Sequence, residues 1–580
     1  MTMPELEKLQ RRLRAARGEI PADLVVRGGR VLDVFTQELI ETDVAIFDGM
    51  IVGLGAYEGR EIVDAAGCFV SPGFIDGHFH VESSMLSPPE LARAVLPRGT
   101  TAIVADPHEM ANVMGVEGIR CMMRASRGLP VDFFFMLPSC VPATSLETSG
   151  AEISAADLAA LKFEERVLGL AEMMNYPGAA AGFPSVLEKL LLFSDRVCDG
   201  HAPLLSGKDL NAYLTAGVRS DHECTNLEEA REKLRGGMHI LIREGTQAKN
   251  LDSLLPLVTP ATLPRCSLVT DDLHPHDLMD RGHLDRLIDR ACERGLLPLQ
   301  AVCMVTINTA LYFRLPDRGA VAPGYRADLA ILSSLHPVRV AAVIKNGRCV
   351  FDGNGLCARI PEFPPGTAAT MNIRSFPVEA LSIRDRGGEI RVIGLIPDQI
   401  LTEERFFRPA AVRGNVAADP ARDLIKIAVI ERHRGTGNIG LGFVQGFGLR
   451  EGALASSVAH DSHNVICAGV SDADMLAAVK AVEGMGGGLA AVRNRVVLAG
   501  LPLPIAGLMS EKPLAEVASG WKKMREAARA LGCSLREPFM ALSFLALPVI
   551  PALKITDRGL VDVNRFAHVP LFAGETSGTA

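Results

Sequence analysis

Two histidines separated by one residue, His78 and His80, have the clearest chemical spacing in this chain of 580 residues. They close the run Gly-Phe-Ile-Asp-Gly-His-Phe-His. In a β-strand, side chains two residues apart lie on the same face, so both imidazoles would point at one location. That spacing is typical of metal ligands. Alternating histidines also occur on solvent-facing strands, and the pair alone leaves both interpretations open.

More histidines and carboxylates follow other strand-like apolar runs farther along the chain. Polar residues at the carboxyl ends of parallel barrel strands point into a common site. Six imidazole and carboxylate groups are enough for two first-row divalent ions that share a bridging hydroxide. A single strand-end histidine is more often structural, and the recurrence along successive runs favours a binuclear metal centre. The predicted ligands are His78, His80, Glu172, His201, His222 and Asp271.

The elements that would position these residues are short apolar runs that alternate with helical patterns. This rhythm predicts βαβ units and a buried parallel sheet. We therefore predict an α/β fold, a (β/α)8 TIM barrel over residues 71–320. The expected strands cover residues 73–81, 101–105, 133–137, 167–171, 196–199, 217–219, 239–243 and 267–270.

Other regions have different textures. Residues 1–20 are predicted to begin with a charged amphipathic helix, and residues 21–70 alternate β-branched runs with turn residues. That strand texture returns in residues 321–385, which predicts a small composite β-sandwich domain beside the barrel. Residues 386–580 are predicted to form a C-terminal α+β domain. Its Gly-Thr-Gly-Asn-Ile-Gly string is not followed by a helical pattern, so a dinucleotide-binding loop is not expected.

Composition narrows the function classes. A net charge of −8 argues against nucleic-acid binding. Residues 538–553 are the most apolar stretch but are too short to span a membrane and are interrupted by Pro548 and Pro551. The opening segment lacks the apolar core of a secretory signal, and the twelve cysteines include no CxxC pair. We expect a cytoplasmic enzyme without nucleic-acid or membrane partners, and a homodimer or higher homo-oligomer as the default.

Seven segments of the chain carry recognisable motifs: Ile75-Asp-Gly-His-Phe-His-Val-Glu-Ser-Ser-Met85, Ala105-Asp-Pro-His-Glu-Met-Ala-Asn112, Leu170-Ala-Glu-Met-Met-Asn-Tyr-Pro177, Arg219-Ser-Asp-His-Glu-Cys224, Gly435-Thr-Gly-Asn-Ile-Gly-Leu-Gly-Phe443, Ala459-His-Asp-Ser-His-Asn464 and Leu501-Pro-Leu-Pro-Ile-Ala-Gly507. These segments resemble the adenine deaminase family of the amidohydrolase superfamily. Members of that superfamily typically begin with HxH on strand one and close with Asp on strand eight. Many carry a carboxylated lysine where this chain has Glu172, and the adenine deaminases likewise have a glutamate there.

The resemblance implies hydrolysis of adenine to hypoxanthine and ammonia, in which a metal-activated hydroxide attacks C6. We expect Mn(II) or Fe(II) in the binuclear centre, with Zn(II) as the alternative. Asp271 is expected to be the general base, with Glu172 between the metals. Asp106 and Glu109 are expected to be catalytic, by protonating the ring or holding another metal, although Asp106 could instead cap a loop.

Substrate contacts are expected from residues beside these ligands. His108, Glu82 and Ser83 are the candidates, although Ser83 or Ser84 could instead cap the following helix.

The C-terminal segment His460, Asp461 and His463 could form a lid or a structural hydrogen-bond cluster. The family often has a basic residue where this chain has Leu273, so a contact of that side chain is missing here.

The sequence is also compatible with two other functions. The scaffold could act on guanine, cytosine, a hydantoin or another cyclic amide, because the pocket rather than the metals selects the substrate. A non-catalytic metalloprotein is the second alternative, and the complete ligand set argues against it.

Overall fold

The structure is a computed structural model that describes residues 3–364, 369–396 and 399–575. Residues 1–2 of the predicted N-terminal helix lie outside the described residues. So do residues 365–368 of the predicted composite β domain, and residues 397–398 and 576–580 of the predicted C-terminal domain.

The N-terminal part consists of one helix and short strands separated by turns. Strands β5, β4, β1 and β6 are neighbours in one sheet, whereas β7 and β2 belong to another and pair in parallel. The elements are α1 (Met3–Ala16), β1 (Ala22–Arg27), β2 (Arg30–Asp33), β3 (Glu38–Glu41), β4 (Val44–Phe47), β5 (Met50–Leu54), β6 (Gly59–Asp64) and β7 (Phe69–Pro72).

Parallel strands form the middle of the chain, and we call them the central strands. Strands β12, β11, β10, β9 and β8 are neighbours in that order, as are β13, β14 and β15. The backbone amide of Asp271 donates to the carbonyl of His78 at 3.0 Å, and that of Arg219 donates to Cys198 at 3.0 Å. The first bond joins the end of β15 to β8, and the second joins the start of β13 to β12, so the two groups of parallel strands are connected at both edges. The central strands are β8 (Phe74–Phe79), β9 (Thr100–Ala105), β10 (Asp132–Leu137), β11 (Val167–Met173), β12 (Val197–Gly200), β13 (Ser220–Asp221), β14 (His239–Arg243) and β15 (Cys266–Val269).

Helices connect the central strands, as parallel pairing requires. Short 3-10 helices lie at Glu82–Ser84, Leu96–Arg98, Leu255–Leu257 and Leu263–Arg265. The α-helices are α2 (Pro88–Val95), α3 (His108–Ala125), α4 (Ala155–Ala159), α5 (Tyr176–Ala181), α6 (Pro184–Leu192), α7 (Gly207–Thr215), α8 (Leu227–Arg235), α9 (Leu251–Leu254), α10 (Pro275–Asp280), α11 (Leu284–Glu293), α12 (Pro298–Met304) and α13 (Ile307–Tyr312).

The predicted α/β class is confirmed, and most central strands lie within a few residues of their predicted positions. The strand predicted over residues 217–219 is wrong, because the strand in this part of the chain, β13, covers only Ser220–Asp221. Gly217 has φ of +109°, a turn conformation that follows α7. Only Ser220 and Asp221 then pair with β14.

Three strands after the helical region extend the N-terminal sheet that contains β7, β2 and β3. They are β16 (Leu329–Leu335), β17 (Val338–Lys345) and β18 (Arg348–Phe351). Strand β16 pairs antiparallel with β7, and Leu329 lies opposite Pro72. Because β7 leads directly into β8, this pairing fixes the start of the strand that carries His78. An apolar cluster between the two sheets includes Val26, Val31, Ile46, Leu329 and Ile344.

The C-terminal region contains a mixed sheet with strand order β20-β19-β24-β23-β26-β25-β27-β28. Strands β23 and β24 are antiparallel neighbours, so the Gly-rich string connects two strands rather than opening a helix. The 3-10 helices are Val378–Leu381 and Pro420–Arg422. The remaining elements are β19 (Ile390–Leu395), β20 (Thr402–Phe407), β21 (Ala410–Val412), β22 (Asn415–Ala417), β23 (Leu424–Ile430), β24 (Ile439–Gln445), β25 (Ala453–Ser456), β26 (Val465–Gly469), α14 (Asp472–Gly484), β27 (Gly488–Arg493), β28 (Val496–Pro502), α15 (Leu514–Ala530), α16 (Pro538–Phe544), β29 (Leu553–Thr556), β30 (Gly559–Asp562) and β31 (Ala567–His568).

Within the described part of the chain, every helix is too short or too polar to cross a membrane.

Candidate metal centre

The six predicted metal ligands lie together at the carboxyl ends of the central strands. Their side chains are buried, except that His201 is 11% exposed. One potential ligand atom from each member of a group lies within 4.8 Å of the others. The groups overlap, as two neighbouring ion sites would require, and they are His78 with His222 and Asp271, Glu172 with His201 and His222, and His80 with Asp106, His108 and Glu172.

Glu172 lies between two sets of histidines. Its Oε1 is 3.4 Å from His80 Nε2 and 3.5 Å from His108 Nδ1. Its Oε2 is 2.6 Å from His201 Nδ1 and 3.1 Å from His222 Nε2. The two oxygens of one carboxylate therefore face different imidazoles, which is the geometry of a bridging ligand.

Asp271 occupies the opposite side of the same cluster. Its Oδ1 is 3.4 Å from His78 Nε2 and 3.2 Å from His80 Nε2. The residue has φ of +57°, an uncommon conformation for a non-glycine residue. The bond from its amide to the His78 carbonyl holds this turn, so the ends of β8 and β15 position the carboxylate together.

The donor set fits divalent metal ions. Two ligands that are each about 2.1 Å from one ion in tetrahedral geometry lie about 3.4 Å apart. Four imidazole–carboxylate distances around Glu172 and Asp271, of 3.1 to 3.4 Å, match this spacing, whereas the 2.6 Å between His201 Nδ1 and Glu172 Oε2 is that of a direct hydrogen bond. In addition, His78 Nε2 and Asp106 Oδ1 are buried without a hydrogen-bond partner, which is costly unless another group completes the site.

The local electrostatics keep the carboxylates ionised. Burial opposes ionisation of Glu172, but His201 and His222 outweigh it and hold the pKa of Glu172 well below its usual range. Burial also opposes ionisation of Asp271, but Arg243, His78 and His80 outweigh it and hold the pKa of Asp271 well below its usual range. Anionic oxygen donors attract divalent cations.

Arg243 and Glu223 are site residues that the sequence analysis missed. Arg243 Nη1 donates to Asp271 Oδ2 at 2.8 Å, and Arg243 Nη2 donates to Glu223 Oε2 at 2.7 Å. Both side chains line the same cavity as the ligand cluster. Arg243 ends the predicted strand over residues 239–243 and Glu223 follows His222, so the strand-end rule applied to every strand would have found them.

The residues after β9 form another wall of the cluster. His108 and Glu109 line the cavity. Asp106 lies behind them, and its Oδ2 is 3.1 Å from His108 Nδ1. The structure therefore places Asp106 among potential ligands and beside His108.

The predicted substrate contacts Glu82 and Ser83 lie behind the wall formed by Glu109. They form a buried 3-10 turn and do not line the cavity. Glu82 Oε1 accepts a bond from the Met110 amide at 3.1 Å, and Ser83 Oγ donates to Glu109 Oε1 at 3.2 Å and Asp272 Oδ1 at 2.5 Å. Burial and the nearby Glu109 raise the pKa of Glu82 to about 8. Both residues support the wall from behind because the turn directs them away from the cavity. Neither acts as the N-cap of α2, a position held by Ser87.

The C-terminal region closes the cavity. His460 and Asp461 line it together with Phe544. The His460 ring stacks on Phe544 with centroids 4.6 Å apart, and His460 Nδ1 lies 3.6 Å from Glu109 Oε1. His463 lies behind, with Nε2 3.7 Å from Glu109 Oε2. Leu273 lines a different groove beside Arg281 and Arg286.

Comparisons with known proteins identify the family of this chain. The profile described as "Amidohydrolase family" matches residues 69–350, and the profile described as "Adenine deaminase C-terminal domain" matches residues 399–567. Adenine deaminase of Desulfatibacillum aliphaticivorans is 50% identical over 96% of this chain and 98% of its own length. Adenine deaminase of Syntrophobacter fumaroxidans is 48% identical over 98% of this chain and 99% of its own length. Among solved structures, a dihydropyrimidinase from Brevibacillus agri is 14% identical and covers 57% of this chain with a TM-score of 0.44.

The expected family is confirmed, and with it a hydrolase of amidohydrolase type. This chain belongs to the adenine deaminase family.

Proposed function

We propose that this chain hydrolyses adenine to hypoxanthine and ammonia in the cavity at the carboxyl ends of the central strands. The observation that carries the proposal is the position of Glu172, whose two oxygens face separate histidine groups within a buried cluster. Family membership directs this metal chemistry to adenine.

The proposed scaffold is a (β/α)8 barrel of amidohydrolase type with a composite β domain and a C-terminal α+β domain. The support is the parallel order of the central strands and the backbone bonds at both seams. Two divalent ions would bind His78, His80, Glu172, His201, His222 and Asp271. Imidazole and carboxylate donors suit Mn(II) or Fe(II), with Zn(II) as the alternative.

Asp271 is the proposed general base. When bound, the divalent ions would supply an activated water molecule near neutral pH. Asp271 can accept a proton at a carboxylate oxygen and deliver it to the departing amine, because its carboxylate reaches the ligand cluster and stays ionised. Arg243 fixes Asp271 Oδ2 by its hydrogen bond and leaves Oδ1 toward the histidines.

Substrate recognition is assigned to the opposite walls. His108, Glu109 and His460 present polar atoms to the cavity, and the stacked rings of His460 and Phe544 give it an aromatic wall. A planar purine can pack against this wall while its edge nitrogens contact polar groups. Burial and the negative charge of Asp272 raise the pKa of Glu109, and they outweigh the opposing effect of His460. Glu109 is therefore suited to exchange a proton with the ring.

The test is turnover of a defined panel by the metal-loaded chain: adenine, guanine, cytosine and a hydantoin. Ammonia release and the change in ultraviolet absorbance identify the reaction. Adenine should be converted to hypoxanthine with a kcat/KM at least about tenfold above the others, a difference of about 1.4 kcal/mol. Preferential turnover of another compound would reassign the substrate, and absence of turnover would favour a non-catalytic metalloprotein.

A further inference from the structure

A second group of metal-binding side chains lies outside the cavity just described. His274 and His276 flank the start of α10, on the segment that follows β15. Glu537 is the N-cap residue of α16 in the C-terminal region. None of these three residues lines the cavity of the candidate centre. We call them the His274 cluster.

The side chains of the His274 cluster bring ligand atoms close together, and each side chain also has one buried polar atom without a hydrogen-bond partner. One ligand atom from each residue lies within 4.8 Å of the other two. His274 Nδ1, His276 Nδ1 and Glu537 Oε2 are buried and have no hydrogen-bond partner. His274 and Glu537 are only 3% and 7% exposed. Buried polar atoms without partners are uncommon in native proteins, and three in one group call for a missing ligand.

The surrounding charges narrow the identity of that ligand. His276 Nε2 lies 3.4 Å from Glu537 Oε1 and 3.7 Å from Asp277 Oδ1. Arg525 and Arg281 each pair with one of these carboxylates. Both guanidinium groups oppose the binding of any divalent cation, so the type of donor atom selects the ion. Two imidazoles and a carboxylate suit Zn²⁺ and its first-row neighbours.

We propose that His274, His276 and Glu537 bind one divalent ion with zinc-type ligand preference, separate from the binuclear centre. Three protein ligands leave a fourth position for water or for Asp277, which is the usual tetrahedral complement of zinc. The ion would connect the segment after β15 to the N-cap residue of α16. Because α16 ends at Phe544, this link would hold the aromatic wall of the cavity in place.

The chain contains a built-in reporter for this site. Trp521 is its single tryptophan. The Trp521 ring centroid lies 4.6 Å from that of His274 and 6.1 Å from that of His276, with the His276 ring nearly parallel. Co²⁺ can replace Zn²⁺ in such ligand sets and quenches tryptophan emission at short range. We therefore expect saturable quenching of Trp521 with one equivalent of Co²⁺ per site when the full-length chain is titrated.

Matched variants separate the two metal sites. Glu537→Gln and His276→Gln should each remove at least about nine tenths of the saturable quenching, consistent with a loss of tenfold or more in affinity. His78→Asn, which alters the binuclear centre, should leave the quenching in place. Quenching that persists in Glu537→Gln and His276→Gln, or that disappears in His78→Asn, overturns the proposal.

Arg525→Gln should change the affinity for Co²⁺ in the opposite direction. It removes the cation that pairs with Glu537, so Co²⁺ should bind several-fold more tightly while the fold keeps both ligand-bearing segments. Metal analysis after dialysis against Zn²⁺ should find one ion fewer per chain in Glu537→Gln than in the unmodified chain. Equal zinc content in these two proteins, together with no gain in Co²⁺ affinity for Arg525→Gln, would show a purely structural cluster.

Discussion

The ligand cluster at the ends of the central strands and the wall supplied by the C-terminal region contribute to the same cavity in different ways. The cluster consists of imidazoles and carboxylates with interatomic distances near 3 Å. The wall combines His460 with the apolar side chains of Ile400, Phe544 and Leu547. Parallel strands deliver ligands at fixed positions, whereas the wall depends on how another part of the chain packs over them.

This difference teaches which residues should control which step. Changes in the cluster should remove metal or proton transfer, because we propose that these residues hold the metal ions and the general base. Changes in the wall should alter substrate binding and leave metal content intact. Four substitutions should separate these two contributions, and Glu172→Gln, Asp271→Asn, Phe544→Ala and Lys554→Met are expected to affect turnover in decreasing order.

Glu172→Gln should have the largest effect. An amide cannot hold two cations with two anionic oxygens, so we expect loss of at least one ion and a fall in kcat/KM on the order of 10⁴-fold or more. Metal analysis and adenine turnover measure the result. Glu165→Gln, on the exposed surface, is the control. Full metal content with normal turnover in Glu172→Gln would remove this residue from the cluster.

Asp271→Asn should keep metal and lose turnover. The amide retains a ligating oxygen but cannot accept the proton, so kcat should fall about 10³-fold, within the range of general-base catalysis. Steady-state kinetics with metal analysis of the same samples checks this. An unchanged kcat would show that another group carries the proton.

Phe544→Ala should act on binding. Losing one aromatic contact costs about 1 kcal/mol, so KM should rise about fivefold to tenfold with metal content unchanged. Phe566→Ala is the control, because Phe566 is 53% exposed. Loss of metal from Phe544→Ala would break the comparison, since the wall would then also maintain the cluster.

Lys554→Met should have the smallest effect on turnover, and its effect on stability should depend on pH. Lys554 Nζ donates to the carbonyls of Ile400 at 2.8 Å and Phe544 at 3.0 Å, and so supports the wall from behind. Burial lowers the pKa of Lys554 from 10.5 to about 7. Between these values the unfolded chain binds more protons than the folded chain, so the free energy of unfolding rises with pH.

The difference in stability between the unmodified chain and Lys554→Met should therefore grow in favour of the unmodified chain between pH 7 and 10, by up to about 1.4 kcal/mol per pH unit. Thermal midpoints at several pH values, with the exposed Lys480→Met as control, measure it. Parallel curves for the two proteins would contradict the buried, neutral state of Lys554.

Sequence periodicity alone located the central strands and the ligand types at their ends. Alternation along a strand fixes which side chains share a face, so His78 and His80 could be paired without coordinates. The motif resemblance then gave the family. The boundary of β13 was missed because only Ser220 and Asp221 pair there, too few residues to form a hydrophobic pattern.

Only the tertiary structure decided which polar residues share the cavity. It turned Glu82 and Ser83 behind Glu109, added Arg243 to Asp271, and brought His460 within 3.6 Å of Glu109 across more than 300 residues. It also placed Glu537 beside His276. Such contacts follow from packing between distant segments, whereas local spacing determines only the direction in which each side chain leaves its own strand or helix.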